Sequence, residues 1–345
     1  MSIPSGRITL KKGYRFGIVA GLGISGIGTF GFLPAAEMGS YTLFLLSLFV
    51  LASGITLLQV AVNPYVTLLG APEKSAFRLN LVQAFNSVGT TIAPLLGSIL
   101  ILESEDKIRG VQIPYLTLTF ALILVAIVFS KIPLPELQEE TSGNDISSQN
   151  SWKEILNNYI LAMKNHPHLI LGMLAIFCYV GAEVSIGSFL VSWLGDPQVA
   201  GIPHELAGRY VSFYWGGAMI GRFLGSLLTA KFKPSHVLIS SLIIILTLIA
   251  AAVIFYSPGI SMWAIIAIGL FNSIQFPTIF SLSVSGLGKD TPYASGLLCT
   301  CIVGGALIPL IQGVTADIID LRFSFLIPFI CYLYILTVAN KLEKK

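Results

Sequence analysis

Ten runs of about twenty almost uncharged residues divide this 345-residue chain, near 16–36, 41–69, 80–102, 113–131, 168–194, 206–229, 237–256, 261–285, 293–315 and 323–340. A hydrocarbon layer about 30 Å thick is crossed by ~20 helical residues. No water is available there to satisfy backbone N–H and C=O groups, so apolarity of this length predicts helices that bond within themselves. Composition agrees: 54% of residues are hydrophobic and 11% charged, against about 25% charged in soluble domains. The mean hydropathy is +0.83. The expected fold is an all-α, polytopic membrane protein with ten transmembrane helices.

Lysine and arginine set the orientation, because positive charge is retained on the cytoplasmic side. With the N-terminus inside, fifteen of the twenty basic residues fall on inner turns or tails, four (Lys107, Arg109, Arg209, Arg322) fall outside, and Arg222 lies within a span. Both termini are therefore expected in the cytoplasm, and "MSIPSGRITLKKGYRFG" shows no signal peptide. A net charge of +3 from scattered residues makes no nucleic-acid footprint. The four cysteines (Cys178, Cys299, Cys301, Cys331) have neither disulfide nor metal-ligand spacing and read as small packing residues. No nucleophile stands beside a base in any span, so no enzyme is expected.

One polar segment stands apart, "PLPELQEETSGNDISSQNSWKEILNNYILAMKNH", 133–166. Its first half reads as a flexible cytoplasmic linker. Its second half (Trp152, Ile155, Leu156, Ile160, Leu161) reads as a short interfacial helix. The expected organisation is an incomplete N-terminal bundle over 1–132, the linker 133–166, and a six-helix bundle over 167–345.

Internal symmetry explains the inequality. Gly6, Ile8, Lys11 and Lys12 are echoed by Gly225, Leu227, Lys231 and Lys233, each set a glycine, an aliphatic and lysines on an inner turn. Proline follows glycine by five residues in "NSVGTTIAPLLGSIL" and again in "CIVGGALIPLIQGVTAD". Amides precede prolines by five residues at Gln59–Pro64 and Asn272–Pro277. On this correspondence two further helices would precede Gly6. The pattern resembles the major facilitator superfamily, whose transporters have two six-helix halves with a basic turn in each. The strings "LASGITLLQVAVNPYVTLLGAPEKSAFRLNLVQAFNSVGTTIAPLLGSILIL", "YWGGAMIGRFLGS", "GLFNSIQFPTIFSLSVSGLG" and "SGLLCTCIVGGALIPLIQGVTAD" look like its fucose permease and glucose/galactose transporter branch. The resemblance covers the chain outside 133–166. It implies a two-bundle architecture whose ten spans are helices three to twelve of twelve, the first two being absent.

Polar groups on apolar spans are the candidate site, since buried ones need partners. Gln59 and Asn63 are four residues apart and Gln83 and Asn86 three apart, so each pair shares a helix face. Pro64 and Pro277 each remove a backbone hydrogen bond and bend their helices. Asn272, Gln275 and Phe276 cluster before Pro277. Amides both donate and accept, which suits sugar hydroxyls, and the resemblance implies that Gln83 and Asn86 line the sugar cavity. The plainer reading of all these amides is hydrogen bonding between helices. Phe276 or Tyr214 offers an aromatic face for a pyranose ring, while Trp193 and Trp263 read as interfacial anchors. Arg222, near the inner end of its span, is expected to snorkel or to cap neighbouring helix ends. Glu183 lies midway along its span, either tying helices together or serving as a proton or substrate site. Its sequence-adjacent candidate partner, Arg209, near the outer end of the next helix, is about 10 Å away along the axis.

Relatives in the fucose branch are proton symporters with carboxylates on their first and fourth helices. The fourth-helix position aligns with Gln59, which carries no proton and resembles the glucose/galactose members. The expectation is a secondary active transporter that moves a neutral hexose, glucose or galactose rather than fucose, across the cytoplasmic membrane by alternating access and cation-coupled symport. Its partners are then the sugar and the lipid bilayer, with no nucleic acid and no obligate protein partner. No cofactor or metal is expected, the coupling ion is H⁺ or Na⁺, and Glu183 is the ionisable candidate to carry coupling. The alternative is a truncated, transport-inactive relic.

Overall fold

The computed structural model describes residues 1–97, 106–135 and 152–342, and these are helices joined by short turns. In chain order they are α1 (Ser2–Glu37), α2 (Tyr41–Leu68), α3 (Ser75–Gly97), α4 (Lys107–Lys131), α5 (Trp152–Asn165), α6 (Pro167–Gly195) and α7 (His204–Lys231). There follow α8 (Pro234–Phe255), α9 (Ile260–Asn272), α10 (Gln275–Val284), α11 (Thr291–Thr300), α12 (Gly304–Ile318), α13 (Leu321–Ser324) and α14 (Leu326–Leu342). The linker expected before α5 lies, over 136–151, outside the described residues, as does the end of the run expected over 80–102.

Eight helices among the described residues are long and apolar enough to cross a membrane, with α9–α10, α11–α12 and α13–α14 each acting as one span. This corrects the expected ten, and with it the correspondence to helices three to twelve. The two runs that drop out, 80–102 and 206–229, are helical as α3 and α7. Over its described residues, which end at Gly97, α3 is too polar to qualify, and so is α7. Between Arg78 and Thr91, α3 carries Asn80, Gln83, Asn86, Ser87 and Thr90, and α7 carries Arg209, Arg222 and Lys231. Amides and charges lower the mean hydropathy of a segment far more than single leucines raise it.

The helices group into two compact units by their internal contacts. The first comprises 1–69, 92–165 and 287–300, and so contains α1, α2, α4, α5 and α11. Helix α1 begins well before the run expected at 16 and bends at Gly13 (φ 81°, ψ 164°), a conformation that only glycine adopts without strain. Helices α1 and α2 meet through small residues: a Cβ on Gly28 would stand 2.4 Å from the Leu51 amide nitrogen. Helix α4 joins them through Thr119, which donates to Thr29 at 2.9 Å. Arg15 donates to the carbonyls of Phe129 and Ser130, closing the C-terminus of α4 where a cation is favoured. Helix α5 buries Tyr159 and Ala162 and exposes Leu156, Ile160 and Leu161, and Tyr159 donates to the Ile3 carbonyl at 2.7 Å.

Pro64 has no N–H, so the carbonyl of Val60, four residues earlier, loses its helical partner. Ser295 on α11 supplies the missing donor: its hydroxyl bonds Val60 O at 2.9 Å. Both residues are fully buried.

The second unit comprises 70–91, 166–286 and 301–345. Its centre is α6, which touches α7, α10, α12 and α14 and buries Leu169, Ile176, Ile186 and Leu190 completely. Trp193, expected at an interface, is instead fully enclosed, with Nε1 donating to Ser261 O at 3.3 Å and its ring against Tyr256 and Phe325. Trp263 is 53% exposed. Arg322 closes the end of α8 by donating to Val253 O (2.6 Å) and Ile254 O (3.1 Å). It also stacks over Tyr256, which donates to Asp196 at 2.6 Å. Desolvation and the Asp196 carboxylate hold the Tyr256 phenol above its usual range, so it remains a donor.

Ser295→Ala is expected to lower stability by about 1 kcal/mol, the cost of a buried carbonyl left bare. In a Pro64→Ala background the alanine N–H takes that carbonyl, and the cost should largely vanish. A double-mutant cycle of unfolding midpoints in detergent measures it; additive losses would refute the pairing.

Candidate functional site

The span formed by α9 and α10 is interrupted at Ser273 and Ile274, where Asn272 ends one helix and Gln275 begins the next. Pro277 is the cause, for its missing N–H strands the carbonyl of Ser273, four residues back. Arg222 on α7 takes that carbonyl with Nε at 3.2 Å. Its NH2 faces Glu183 Oε1 on α6 at 3.6 Å, with both side chains only 14% exposed. Its NH1 donates to Ser87 Oγ on α3. One guanidinium thus joins four helices of the second unit, a task suited to its planar fork of five donors.

Arg222 reaches this position because α7 lies almost against α9. A Cβ on Gly221 would fall 2.0 Å from Leu270 O and 2.4 Å from Ser273 Oγ, and one on Gly225 1.9 Å from Ile274 Cγ2. Across the contact, a Cβ on Gly269 would fall 2.1 Å from Tyr214 O. Small residues at four-residue spacing permit such approach in membranes.

Three buried tyrosines surround the pair. Tyr179 and Tyr214 interact electrostatically with both Glu183 and Arg222, and Tyr332 with Glu183. Tyr332 donates to Asn272 Oδ1 at 2.8 Å, and Asn272 Nδ2 donates to the Tyr214 hydroxyl at 3.3 Å. The Tyr179 hydroxyl neighbours Glu183 without an aligned hydrogen bond of its own. Helix α3 is tied to α10 at two further levels: Asn80 Nδ2 donates to Thr278 Oγ1 at 3.2 Å, and Ser75 and Ser281 lie 3.4 Å apart.

The expected site residues separate into two groups. Gln59 and Asn86 are exposed, and Gln83 and Phe276 are half-buried, Phe276 with its ring 5.9 Å from that of Phe280. Asn63, Asn272 and Gln275 are enclosed. Asn272 is engaged by two tyrosines, and Gln275 Nε2 donates to Ser241 on α8 at 3.1 Å while its Oε1 is unpartnered. Asn63 Nδ2 is likewise buried without a partner. Glu183 pairs with Arg222 and not with the expected Arg209. Arg222, in the second half of α7, which closes at Lys231, donates to Ser273 O at the C-terminus of α9. Tyr214 is fully buried, so its ring face is occupied by packing. Tyr179, Tyr332 and Ser87 join the site without having been read as site residues in the sequence. Each is a common membrane residue type, and only Ser87 carried a signal, through its place beside Asn86.

Residues 1–309 match the family described as the Major Facilitator Superfamily. The chain belongs to the major facilitator superfamily. Within this superfamily it is similar to the glucose/galactose transporter of Brucella abortus biovar 1 (strain 9-941), 46% identical over 342 residues, which is 97% of this chain and 80% of that protein. It is also similar to the L-fucose-proton symporter of Escherichia coli (strain K12), 33% identical over 360 residues, 98% of this chain and 80% of that protein. The crystal structure of a major facilitator superfamily transporter in the outward conformation matches with TM-score 0.90 at 32% identity, covering 100% of this chain and 86% of that one. The chain is an integral membrane protein of a transporter superfamily and not an enzyme.

In this superfamily member the α7–α9 contact is the tightest constraint on the site. Gly221→Ala is expected to cost about 2 kcal/mol, since the new methyl meets backbone that has no room to yield. Gly216→Ala, where a Cβ meets nothing within 4 Å, should be neutral. Unfolding midpoints of the two variants in detergent test this.

Proposed function

We propose that the protein is a secondary active sugar transporter, moving a neutral hexose of the glucose/galactose type by alternating access and cation-coupled symport. The observation that carries this is its likeness, over nearly the whole chain, to the glucose/galactose transporter of Brucella abortus. The polar chemistry supports it. Gln83 is half-buried and Asn86 exposed, and their amides are the proposed sugar contacts. In the first unit the exposed Gln59 is proposed for the same role. Asn63, Asn272 and Gln275 shape the bent helices around the site. Phe276, half-buried beside Pro277, is the aromatic face available to a pyranose. The protein is placed in a bacterial inner membrane with both termini cytoplasmic, a reading supported by the fifteen basic residues of the inner turns and tails.

Glu183 is the proposed coupling group. It is an intramembrane carboxylate held by an arginine, and such residues mark ion and proton pathways in transporters. The groups facing it are Arg222 and Tyr214 from α7, Tyr332 from α14 and Tyr179 from its own helix.

Purified protein in liposomes should take up labelled glucose and galactose above empty vesicles, with unlabelled sugar competing. Absence of such uptake would sink the proposal. Gln83→Ala and Asn86→Ala should each raise KM roughly tenfold, the loss of a hydrogen-bonding amide to a hydroxyl. Glu183→Gln should abolish ion-driven accumulation while sugar exchange at equal concentrations continues. An unchanged accumulation ratio would remove Glu183 from the coupling role.

A further inference from the structure

Arg222 does more than neutralise Glu183. Its Nε occupies the carbonyl that Pro277 strands at Ser273, 3.2 Å away. Its NH1 donates to Ser87 Oγ, and that hydroxyl donates onward to the carbonyl of Gln83 at 2.8 Å. Ser87 lies one residue beyond Asn86, so the bond chain ends on the turn of α3 that bears both proposed sugar contacts. Among the described residues, the polar contacts between α3 and α10 at Asn80–Thr278 and Ser75–Ser281 lie toward the N-terminus of α3 and do not reach that turn.

We propose that Arg222 is a positioning residue for sugar transport: its guanidinium holds the Gln83–Asn86 turn of α3 in register with the Pro277 break between α9 and α10. The inference rests on the reading of Gln83 and Asn86 as sugar contacts. Its two arms have separable consequences. Loss of the Ser87 arm loosens the turn that meets the sugar, which weakens binding. Loss of the carbonyl arm leaves a bare C=O at a helix break, which lowers stability and slows the cycle. Lysine keeps the charge opposite Glu183 but cannot present three donors in one plane.

The test is glucose exchange in proteoliposomes, with unfolding midpoints in detergent, for wild type, Ser87→Ala, Arg222→Lys, Pro277→Ala and the double variant R222K/P277A. Ser87→Ala should raise KM roughly tenfold and leave Vmax within about twofold. Arg222→Lys should raise KM similarly and also lower Vmax and the unfolding midpoint. Adding Pro277→Ala should restore Vmax and the midpoint, because the alanine supplies a backbone N–H to Ser273, while KM stays high. A wild-type KM in Ser87→Ala, or no recovery in the double variant, overturns the proposal. Should wild type exchange no sugar, the transport reading fails, and the midpoints of the same proteins still decide whether Arg222 serves the Pro277 break.

Discussion

Lipid offers no hydrogen bonds, and the structure is organised around that constraint. A proline inside a membrane helix strands one carbonyl, and here two such carbonyls find donors on other helices. Ser295 serves the one stranded by Pro64, and Arg222 the one stranded by Pro277. Each stranded carbonyl is therefore satisfied by a contact that also fixes the neighbouring helix. Proline and packing are one arrangement, and removing either the proline or its donor alters the same carbonyl.

The two donors differ in kind, which gives the two units different characters. A serine hydroxyl is a small neutral group that satisfies one carbonyl and leaves no further demand. An arginine introduces a charge and several spare donors, so it draws in Glu183 and Ser87 as well. The glycines at 221, 225 and 269 follow from this: only backbones in near contact let a guanidinium anchored on α7 reach the interior of the broken helix. The tyrosines then enclose the pair, Tyr332 and Tyr214 holding the Asn272 amide at the very end of α9.

The stranded carbonyls were legible in the sequence because a proline's effect is local: Pro64 and Pro277 mark the affected carbonyl by counting back four residues. The donors were not, since Ser295 lies 235 residues from Val60 and Arg222 51 residues from Ser273. Arg209, the sequence-adjacent candidate for Glu183, and Arg222, its actual partner, both lie on α7, so order along the chain did not separate them. The runs near 80–102 and 206–229 include the amides of α3, described to Gly97, and the charges of α7, and these residues lower the hydropathy of the described helices. Helix α5 was legible from its alternation of faces, as Tyr159 and Ala162 point inward and Leu156 and Ile160 outward.

The pairing of Glu183 with Arg222 has an electrical consequence. An elementary charge moved across a membrane potential of 100 mV does about 2.3 kcal/mol of work. A carboxylate and a guanidinium 3.6 Å apart sum to zero, so any displacement of the two together is electrically silent. Separation of the pair, or a proton delivered to the carboxylate, turns the same displacement into a voltage-sensitive one.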